Sequence, residues 1–181
     1  MLVLASKSPR RKQLLESLGY KFKIVPSTKD EVVDKTLPPY EVVMELAKQK
    51  ALDVFEQENC PCLGADTIVV LDGVILGKPA NKPVNAQFLR NLSGRYHEVY
   101  TGYCFYDGKK IVVDYDVARV KFNNLSEAEI EAYVESGNGL DKAGGYGIQD
   151  KFNLVEKIEG SYSCVVGLPV EKVSKLLKEV L

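Results

Sequence analysis

The chain has 181 residues, of which 45% are hydrophobic and 27% are charged, and its formal net charge is −1. This length and composition are typical of a globular protein with a sizeable core, so a disordered or fibrous chain is excluded. The near-zero charge gives no general attraction to nucleic acid or anionic membranes, so an anion site would need a local concentration of basic side chains.

Hydrophobic periodicity and turn residues divide the chain into strands and helices. Up to residue 71 they predict a strand over 1–5, a helix over 12–18, a strand over 20–25, a polar loop over 26–39, a long helix over 40–57 and a buried central strand over 63–71. Beyond it they predict a returning strand over 74–76, a helix over 83–92, strands over 96–106 and 110–122, a helix over 126–135, a glycine-rich segment over 137–147, a strand over 154–158, a loop over 160–167 and a closing helix over 168–180.

The order of these elements indicates the fold class. Strands and helices mix without strict alternation, which favours a mixed α/β sheet over a doubly wound parallel one. Asp72 and Gly73 form a strong hairpin signal, so residues 74–76 are expected to return antiparallel to the central strand. We predict one domain over residues 1–181, with an elongated mixed sheet, flanking helices and a cleft between two lobes.

The turn between the first strand and the first helix is a candidate anion site. It contains Ser6, Ser8, Pro9, Arg10 and Arg11. The N-terminus of a helix presents free backbone N–H groups and the positive end of its dipole, and arginine forks match phosphate oxygens. A phosphate chain is therefore the expected ligand. The alternative is a helix capped by Ser8 with two solvated arginines.

Asp66 is a lone acid in an otherwise apolar predicted strand. A buried carboxylate without a partner is costly, so such residues are usually paired, metal-bound or catalytic. The alternative is a carboxylate at the mouth of the strand that only accepts hydrogen bonds from a neighbouring loop. Sequence alone leaves both interpretations open.

Three further charged residues complete a possible phosphoryl-transfer site. Lys78 follows the hairpin and should return to the same end of the sheet as Asp66, whereas Lys50 lies on the long helix. Glu31 lies just beyond a strand end and is a candidate metal ligand. Phosphoryl chemistry needs cations for the phosphates, carboxylates for Mg²⁺ or Mn²⁺ and a base for water. Alternatively, Lys78 is an ordinary surface lysine, Lys50 extends its ammonium group from an apolar stem to water, and Glu31 is a solvated acid.

Six short motifs in register resemble the Maf family of nucleoside triphosphate pyrophosphatases. They run from the first strand to the last helix: Ala5-Ser6-x-Ser8-Pro9-Arg10-Arg11, Gly64-Ala65-Asp66-Thr67, Gly77-Lys78-Pro79, Leu92-Ser93-Gly94, Asp141-Lys142-Ala143-Gly144-x-Tyr146-Gly147-Ile148-Gln149 and Val166-Gly167-Leu168-Pro169. The resemblance implies the elongated fold shared with inosine triphosphatases (the Maf/Ham1 fold). It also implies cleavage between the α- and β-phosphates with a divalent metal, Mg²⁺ or Mn²⁺.

The resemblance assigns roles to ten positions. Asp66 would be the proton acceptor and, with Glu31, a metal ligand; the phosphate-binding residues would be Ser6, Ser8, Arg11, Lys50 and Lys78. Substrate preference would depend on Arg10, Thr67 and Gln149, a set that resembles the branch acting on dTTP and UTP. An amide such as that of Gln149 can offer a paired donor and acceptor to a pyrimidine edge.

Two other functions remain as alternatives. One is the same reaction on 7-methyl-GTP, and the other is a nucleotide-binding regulator of cell division without turnover. The resemblance links the family to nucleotide-pool sanitation and to septum inhibition. We expect a nucleoside triphosphate as substrate, no nucleic-acid or membrane partner, and leave a homodimer open.

The cysteines and the single histidine give no sign of a zinc site. Cys60 and Cys62 lack the spacing of a metal knuckle, and His97 is the only histidine. No apolar run reaches membrane-spanning length, and we predict no signal peptide because the sequence begins directly on a strand. A cytoplasmic protein with reduced thiols is the expectation.

Overall fold

The computed structural model describes all of residues 1–181. The strands are β1 (Leu2–Leu4), β2 (Phe22–Ile24), β3 (Cys62–Leu71), β4 (Val74–Leu76), β5 (Tyr96–Tyr106), β6 (Ile111–Phe122) and β7 (Val155–Glu159). The helices are α1 (Pro9–Ser17), α2 (Pro39–Glu58), α3 (Lys82–Leu92), α4 (Glu127–Ser136), α5 (Tyr162–Val166) and α6 (Val170–Val180). No helix combines the length and the apolar character needed to cross a membrane.

All seven strands form one mixed sheet. Its order is β2-β1-β3-β5-β6-β7, with β4 paired to β3 outside this path. Strand β1 runs parallel to β2 and β3, whereas the β3–β4, β3–β5, β5–β6 and β6–β7 pairs are antiparallel. The predicted mixed sheet with helices around it is confirmed.

Strand β3 has a gap along one of its edges. It pairs with β5 over Cys62 to Val70, whereas on the other edge β1 reaches only Leu63 and β4 begins only at Val69. Residues 64–68 therefore have a neighbouring strand on the β5 side alone. Because β1 is parallel to β3 and β4 is antiparallel, the turn after β1 and the segment after β4 both lead toward this gap.

Helix α2 lies close against one face of the sheet because two glycines face it. A Cβ on Gly64 would be 2.3 Å from the carbonyl oxygen of Ala47, and one on Gly102 would be 2.4 Å from that of Val43. The apolar stripe of α2 is buried at this contact. The close approach determines how far Lys50, on the same helix, stands from β3.

Two further hydrophobic clusters form where helices pack on the other parts of the sheet. Leu2, Leu4 and Leu63 pack with Leu176 and Leu177 of α6. A second cluster joins the far half of the sheet to α3 and α4, and it includes Val69, Leu89, Phe122, Ile130 and Tyr133. The gap in β3 lies between these two clusters, so packed cores flank it along the strand.

One predicted loop is wrong, and two helix starts are shifted by more than one residue. Within predicted loop 160–167, residues Tyr162–Val166 form α5, capped by Ser161, whose Oγ accepts from Cys164 N at 3.2 Å. A single helical turn has too few residues to show an apolar period, which explains the error. Helix α1 begins at Pro9 because Ser8 caps it, and α6 begins at Val170, after Pro169.

Candidate active site

A cleft of about 850 Å³ opens at the gap in β3. It lies between the turn after β1, helix α2, the segment after β4 and the loop around residues 141–150. All ten residues predicted from the sequence line it: Ser6, Ser8, Arg10, Arg11, Glu31, Lys50, Asp66, Thr67, Lys78 and Gln149. The fold therefore brings together residues from six separate segments.

The turn after β1 is built by hydrogen bonds of its two serines. Ser8 N donates to Ser6 Oγ at 3.1 Å, and Ser8 Oγ accepts from Arg11 N at 3.4 Å, which is the predicted helix cap. Pro9 has no N–H, and the backbone N–H groups of Lys7 and Arg10 have no partner. These two free donors at the positive end of α1 suit an anion.

The Arg11 guanidinium is held by protein groups on three sides. Its Nε donates to the Gly167 carbonyl at 2.8 Å, one terminal nitrogen donates to Thr67 Oγ1 at 3.1 Å, and the other donates to Ser6 Oγ at 3.4 Å. Burial lowers the pKa of Arg11, and nearby Asp66 opposes this shift. A guanidinium has five N–H groups, so two remain for a ligand.

Lys50 joins the two predicted metal-binding acids. Its Nζ donates to Asp66 Oδ1 at 2.7 Å and lies 3.1 Å from Glu31 Oε1. Burial raises the pKa of Asp66, and the Lys50 and Arg11 charges oppose that rise. Asp66 Oδ2 accepts no hydrogen bond, so one carboxylate oxygen is free to take a proton. The interpretation of Asp66 as an acid that only accepts bonds from a loop is wrong, because its partner is the Lys50 ammonium.

The acids fit a metal ion that arrives together with phosphate. No group of three or more histidine, cysteine, aspartate or glutamate side chains is placed to hold a metal. Glu31 and Asp66 nevertheless converge, because both lie within about 3 Å of Lys50 Nζ. Mg²⁺ is commonly bound by one or two carboxylates, with substrate phosphates and water as the other ligands. The donor set matches this kind of site.

Basic side chains outnumber acidic ones in the cleft, although the whole chain is nearly neutral. The charged lining residues are the cations Lys7, Arg10, Arg11, Lys29, Lys50, Lys78 and Lys142 and the acids Glu31, Asp66, Asp141 and Asp150. Lys7, Arg10 and Lys78 form no ion pair with any acid, unlike Lys29, Lys50 and Lys142. The local concentration of positive charge that an anion site requires is therefore present.

Gln149 lies at the mouth of the cleft on a loop with several anchors. Gly144 N donates to the Gly77 carbonyl at 3.1 Å, which ties the loop to the segment before Lys78. The buried Asn85 donates to the Gly145 carbonyl at 2.7 Å. The Gln149 side chain is exposed and forms no hydrogen bond, so its amide is free for a ligand.

Asp66 and Thr67 are neighbours in sequence but face opposite sides of the sheet. Asp66 faces α2 and its Lys50, whereas Thr67 faces α5, with its Oγ1 2.8 Å from Thr101 Oγ1 on β5. Both reach the cleft because no strand covers this edge of β3. Alternation along a strand accounts for the two directions.

Sequence reasoning gave no role to several residues of this cleft. Lys142 and Asp150 line it as an ion pair at 3.8 Å, and Tyr146 lines it with its hydroxyl bonded to His97 Nε2. Lys142 and Tyr146 belong to the glycine-rich motif, which was the available signal. Thr101 lies behind the cleft in β5, and nothing in its sequence context distinguishes it.

Comparisons with known proteins give a family model and relatives that cover nearly the whole chain. A family model described as "Maf-like protein" matches residues 1–180. The dTTP/UTP pyrophosphatase of Bacillus mycoides is 47% identical over 180 residues, which cover 98% of this chain and 94% of that protein. The dTTP/UTP pyrophosphatase of Caldicellulosiruptor bescii is 43% identical over 187 residues, which cover 99% of this chain and 94% of that protein.

Among solved structures, the Ham1 protein of Staphylococcus aureus has a similar fold. The TM-score is 0.56, the sequence identity is 14%, and the match covers 98% of each chain. At this identity the likeness concerns the fold alone. It supports the predicted elongated mixed sheet.

Proposed function

The chain belongs to the Maf family, and on that premise we propose that it hydrolyses dTTP and UTP to the nucleoside monophosphate and pyrophosphate. One observation carries the proposal. The buried Asp66 carboxylate has one oxygen bound to Lys50 and the other free, in a cleft with unpaired cations. This combination provides a base beside a site for polyphosphate.

The phosphate chain would bind between the turn after β1 and Lys78. The free N–H groups of Lys7 and Arg10 and the two remaining Arg11 donors offer hydrogen bonds to phosphate oxygens. The Lys78 side chain is exposed at the cleft, without an acidic partner. The backbone donors and the anchored Arg11 are fixed before the substrate arrives, so they stabilise developing charge with little reorganisation.

Asp66 would take the proton of the attacking water. The water oxygen forms a bond to the α-phosphorus, the bond from that phosphorus to the bridging oxygen breaks, and pyrophosphate leaves with the bonding electrons. The water proton passes to Asp66 Oδ2, because Oδ1 already accepts from Lys50. Lys50 keeps the carboxylate oriented and favours its charged form.

Asp66 and Glu31 would hold the divalent metal, Mg²⁺ or Mn²⁺. When bound, the ion would neutralise negative charge on the phosphates. The Lys50 ammonium, which lies between the two carboxylates, would keep both of them oriented. Arg10 and Gln149 are the residues that we propose for the choice of base, whereas Thr67, which accepts from Arg11, would act through that guanidinium.

A nucleotide panel tests the function. Release of pyrophosphate should be fastest from dTTP and UTP with Mg²⁺ or Mn²⁺, and slower from 7-methyl-GTP. Comparable rates on UTP and 7-methyl-GTP would contradict the assigned preference. Tight nucleotide binding with no pyrophosphate at high protein concentration would instead support the non-catalytic regulator of division.

The cellular setting of this reaction is also a proposal. All four cysteines are free thiols, three of them buried, which agrees with a reducing cytoplasm. Nucleotide-pool sanitation would follow from the reaction, whereas septum inhibition and a homodimer are predictions that depend on other measurements. Division phenotypes of cells carrying an Asp66→Asn protein would separate catalysis from any direct role in division.

A further inference from the structure

Thr101 is a fully buried polar residue on β5, directly opposite Thr67 of β3. Its Oγ1 lies 2.8 Å from Thr67 Oγ1 and 2.8 Å from the carbonyl oxygen of Cys164 in α5. Thr67 Oγ1 in turn receives a hydrogen bond from Arg11. A continuous chain of hydrogen bonds therefore runs from the cleft into the core.

The direction of every bond in this chain is fixed. A carbonyl oxygen only accepts, so the single Thr101 hydroxyl proton goes to Cys164. Thr101 must then accept from Thr67, which uses the single Thr67 proton. The order of donation is Arg11 to Thr67, Thr67 to Thr101, and Thr101 to Cys164.

This direction leaves Thr67 without a proton for a substrate. Thr67 can only accept, so it cannot bond a phosphate oxygen, and one of its two acceptor lone pairs is already used by Arg11. An effect of Thr67 on nucleotide binding should therefore pass through the orientation of Arg11. A second Arg11 anchor, the Gly167 carbonyl, directly follows α5, so two of the three Arg11 anchors depend on α5 and its end, and the third is Ser6.

We propose that Thr101 is a positioning residue that orients Arg11 toward the phosphate chain through Thr67. The proposal rests on the proposed function, because it takes a nucleoside triphosphate as the ligand of Arg11. Loss of the Thr101 hydroxyl leaves a buried carbonyl and the Thr67 proton unpaired. The Thr67 hydroxyl then turns to another acceptor, and Arg11 loses one of its three anchors.

The test uses calorimetry, in the presence of Mg²⁺, to measure the binding of α,β-methylene-UTP. This nucleotide cannot be cleaved at the reacting bond. Thr101→Val, which keeps the side-chain shape, should weaken binding about tenfold. Thr101→Ser, which restores the hydroxyl, should bind within about twofold of wild type. Wild-type affinity in Thr101→Val would overturn the proposal.

A double-mutant cycle separates positioning from general damage to the fold. In an Arg11→Ala background, Thr101→Val should change the dissociation constant less than about twofold, because the group it orients is gone. An equal loss of affinity in both backgrounds would mean a structural role and would overturn the proposal. If Thr101→Val does not fold, Thr67→Val breaks the same chain at its next link and takes its place in the cycle.

Turnover of dTTP and UTP by the wild-type protein is measured separately. Absence of turnover with intact binding would refute the proposed function, yet the binding cycle would still decide the role of Thr101. Conversely, normal turnover with no Arg11-dependent effect of Thr101→Val would refute only the positioning role.

Discussion

Arg10 and Arg11 are adjacent in sequence but differ in their contacts. Arg11 donates to Gly167, Thr67 and Ser6, whereas Arg10 lines the cleft without a hydrogen bond or ion pair from its side chain. We expect Arg11→Ala to lower kcat/KM on dTTP, UTP and 7-methyl-GTP by a similar factor, about 100-fold, because it removes a fixed phosphate donor. Arg10→Ala should instead change the ratio among these substrates. Uniform losses in both variants would make Arg10 only another phosphate ligand.

Asp66 should be essential for turnover and dispensable for the fold. Asp66→Asn keeps the shape and removes the proton acceptor, so kcat should fall by about 100-fold or more, measured as pyrophosphate release. Asp114→Asn is the matched control, because this acid lies on β6 outside the cleft. An Asp66→Asn protein as fast as wild type would remove Asp66 from the role of base.

The Lys50 ammonium should stabilise the fold as well as the site. Lys50→Met leaves Asp66 and Glu31 without their shared cation, so we expect a loss of about 2 kcal/mol in the free energy of unfolding at pH 7. Adding Asp66→Asn should recover most of that loss, because the uncompensated buried charge is then absent. Chemical denaturation measures the free energy of unfolding of the single and double variants, with Lys48→Met as the control. If Asp66→Asn does not reduce the loss of stability, the loss comes from the packing of the Lys50 side-chain methylenes.

At the scale of elements, the contact between α2 and β3 should control the site. Gly64→Ala places a Cβ 2.3 Å from the Ala47 carbonyl oxygen and 2.9 Å from Ala51 N, so α2 has to move away from the sheet. We expect a destabilisation of about 2–3 kcal/mol together with a loss of activity, since Lys50 moves with the helix. Gly77→Ala, with no atom within 4 Å of its added Cβ, should leave the melting temperature nearly unchanged.

Most elements were predictable from local patterns, whereas their junctions were not. The β3–β4 hairpin followed from Asp72 and Gly73, which both adopt the positive φ that this turn requires. Helix α5 was missed because a single helical turn is too short to show a hydrophobic period. The candidate site residues were proposed from chemistry and motif resemblance, and they line one cleft, but the bond between Lys50 and Asp66 depends on Gly64 packing. The chain through Thr101 joins four distant segments, and no local pattern encodes such a contact.

At the scale of the whole molecule, His97 should make stability depend on pH. Its ring is buried against Phe122 and Tyr146, and burial lowers its pKa to about 4. Between pH 6.5 and 4 the unfolded chain therefore binds a proton that the folded protein does not. The contribution of His97 to the free energy of unfolding is complete above pH 6.5. It falls by up to about 3 kcal/mol as the pH approaches 4.

A His97→Gln variant tests this dependence. Its free energy of unfolding should decline less steeply than that of wild type between pH 6.5 and 4, while the difference between the two proteins stays constant above pH 7. Urea denaturation at several pH values gives both curves, and contributions from all other groups cancel in the difference. Parallel curves across the acidic range would mean that His97 titrates normally in the folded protein.

The unpaired stretch of β3 has a consequence for how such enzymes diverge. Asp66 projects toward α2, whereas Thr67 projects toward α5, so adjacent codons supply residues on two opposite faces of the sheet. We expect mutations on the α5 side to change, through Arg11, how tightly the phosphate chain is held, while the Asp66–Lys50 pair on the α2 side stays intact. A lineage could thus change its affinity for nucleotides without first losing its chemistry.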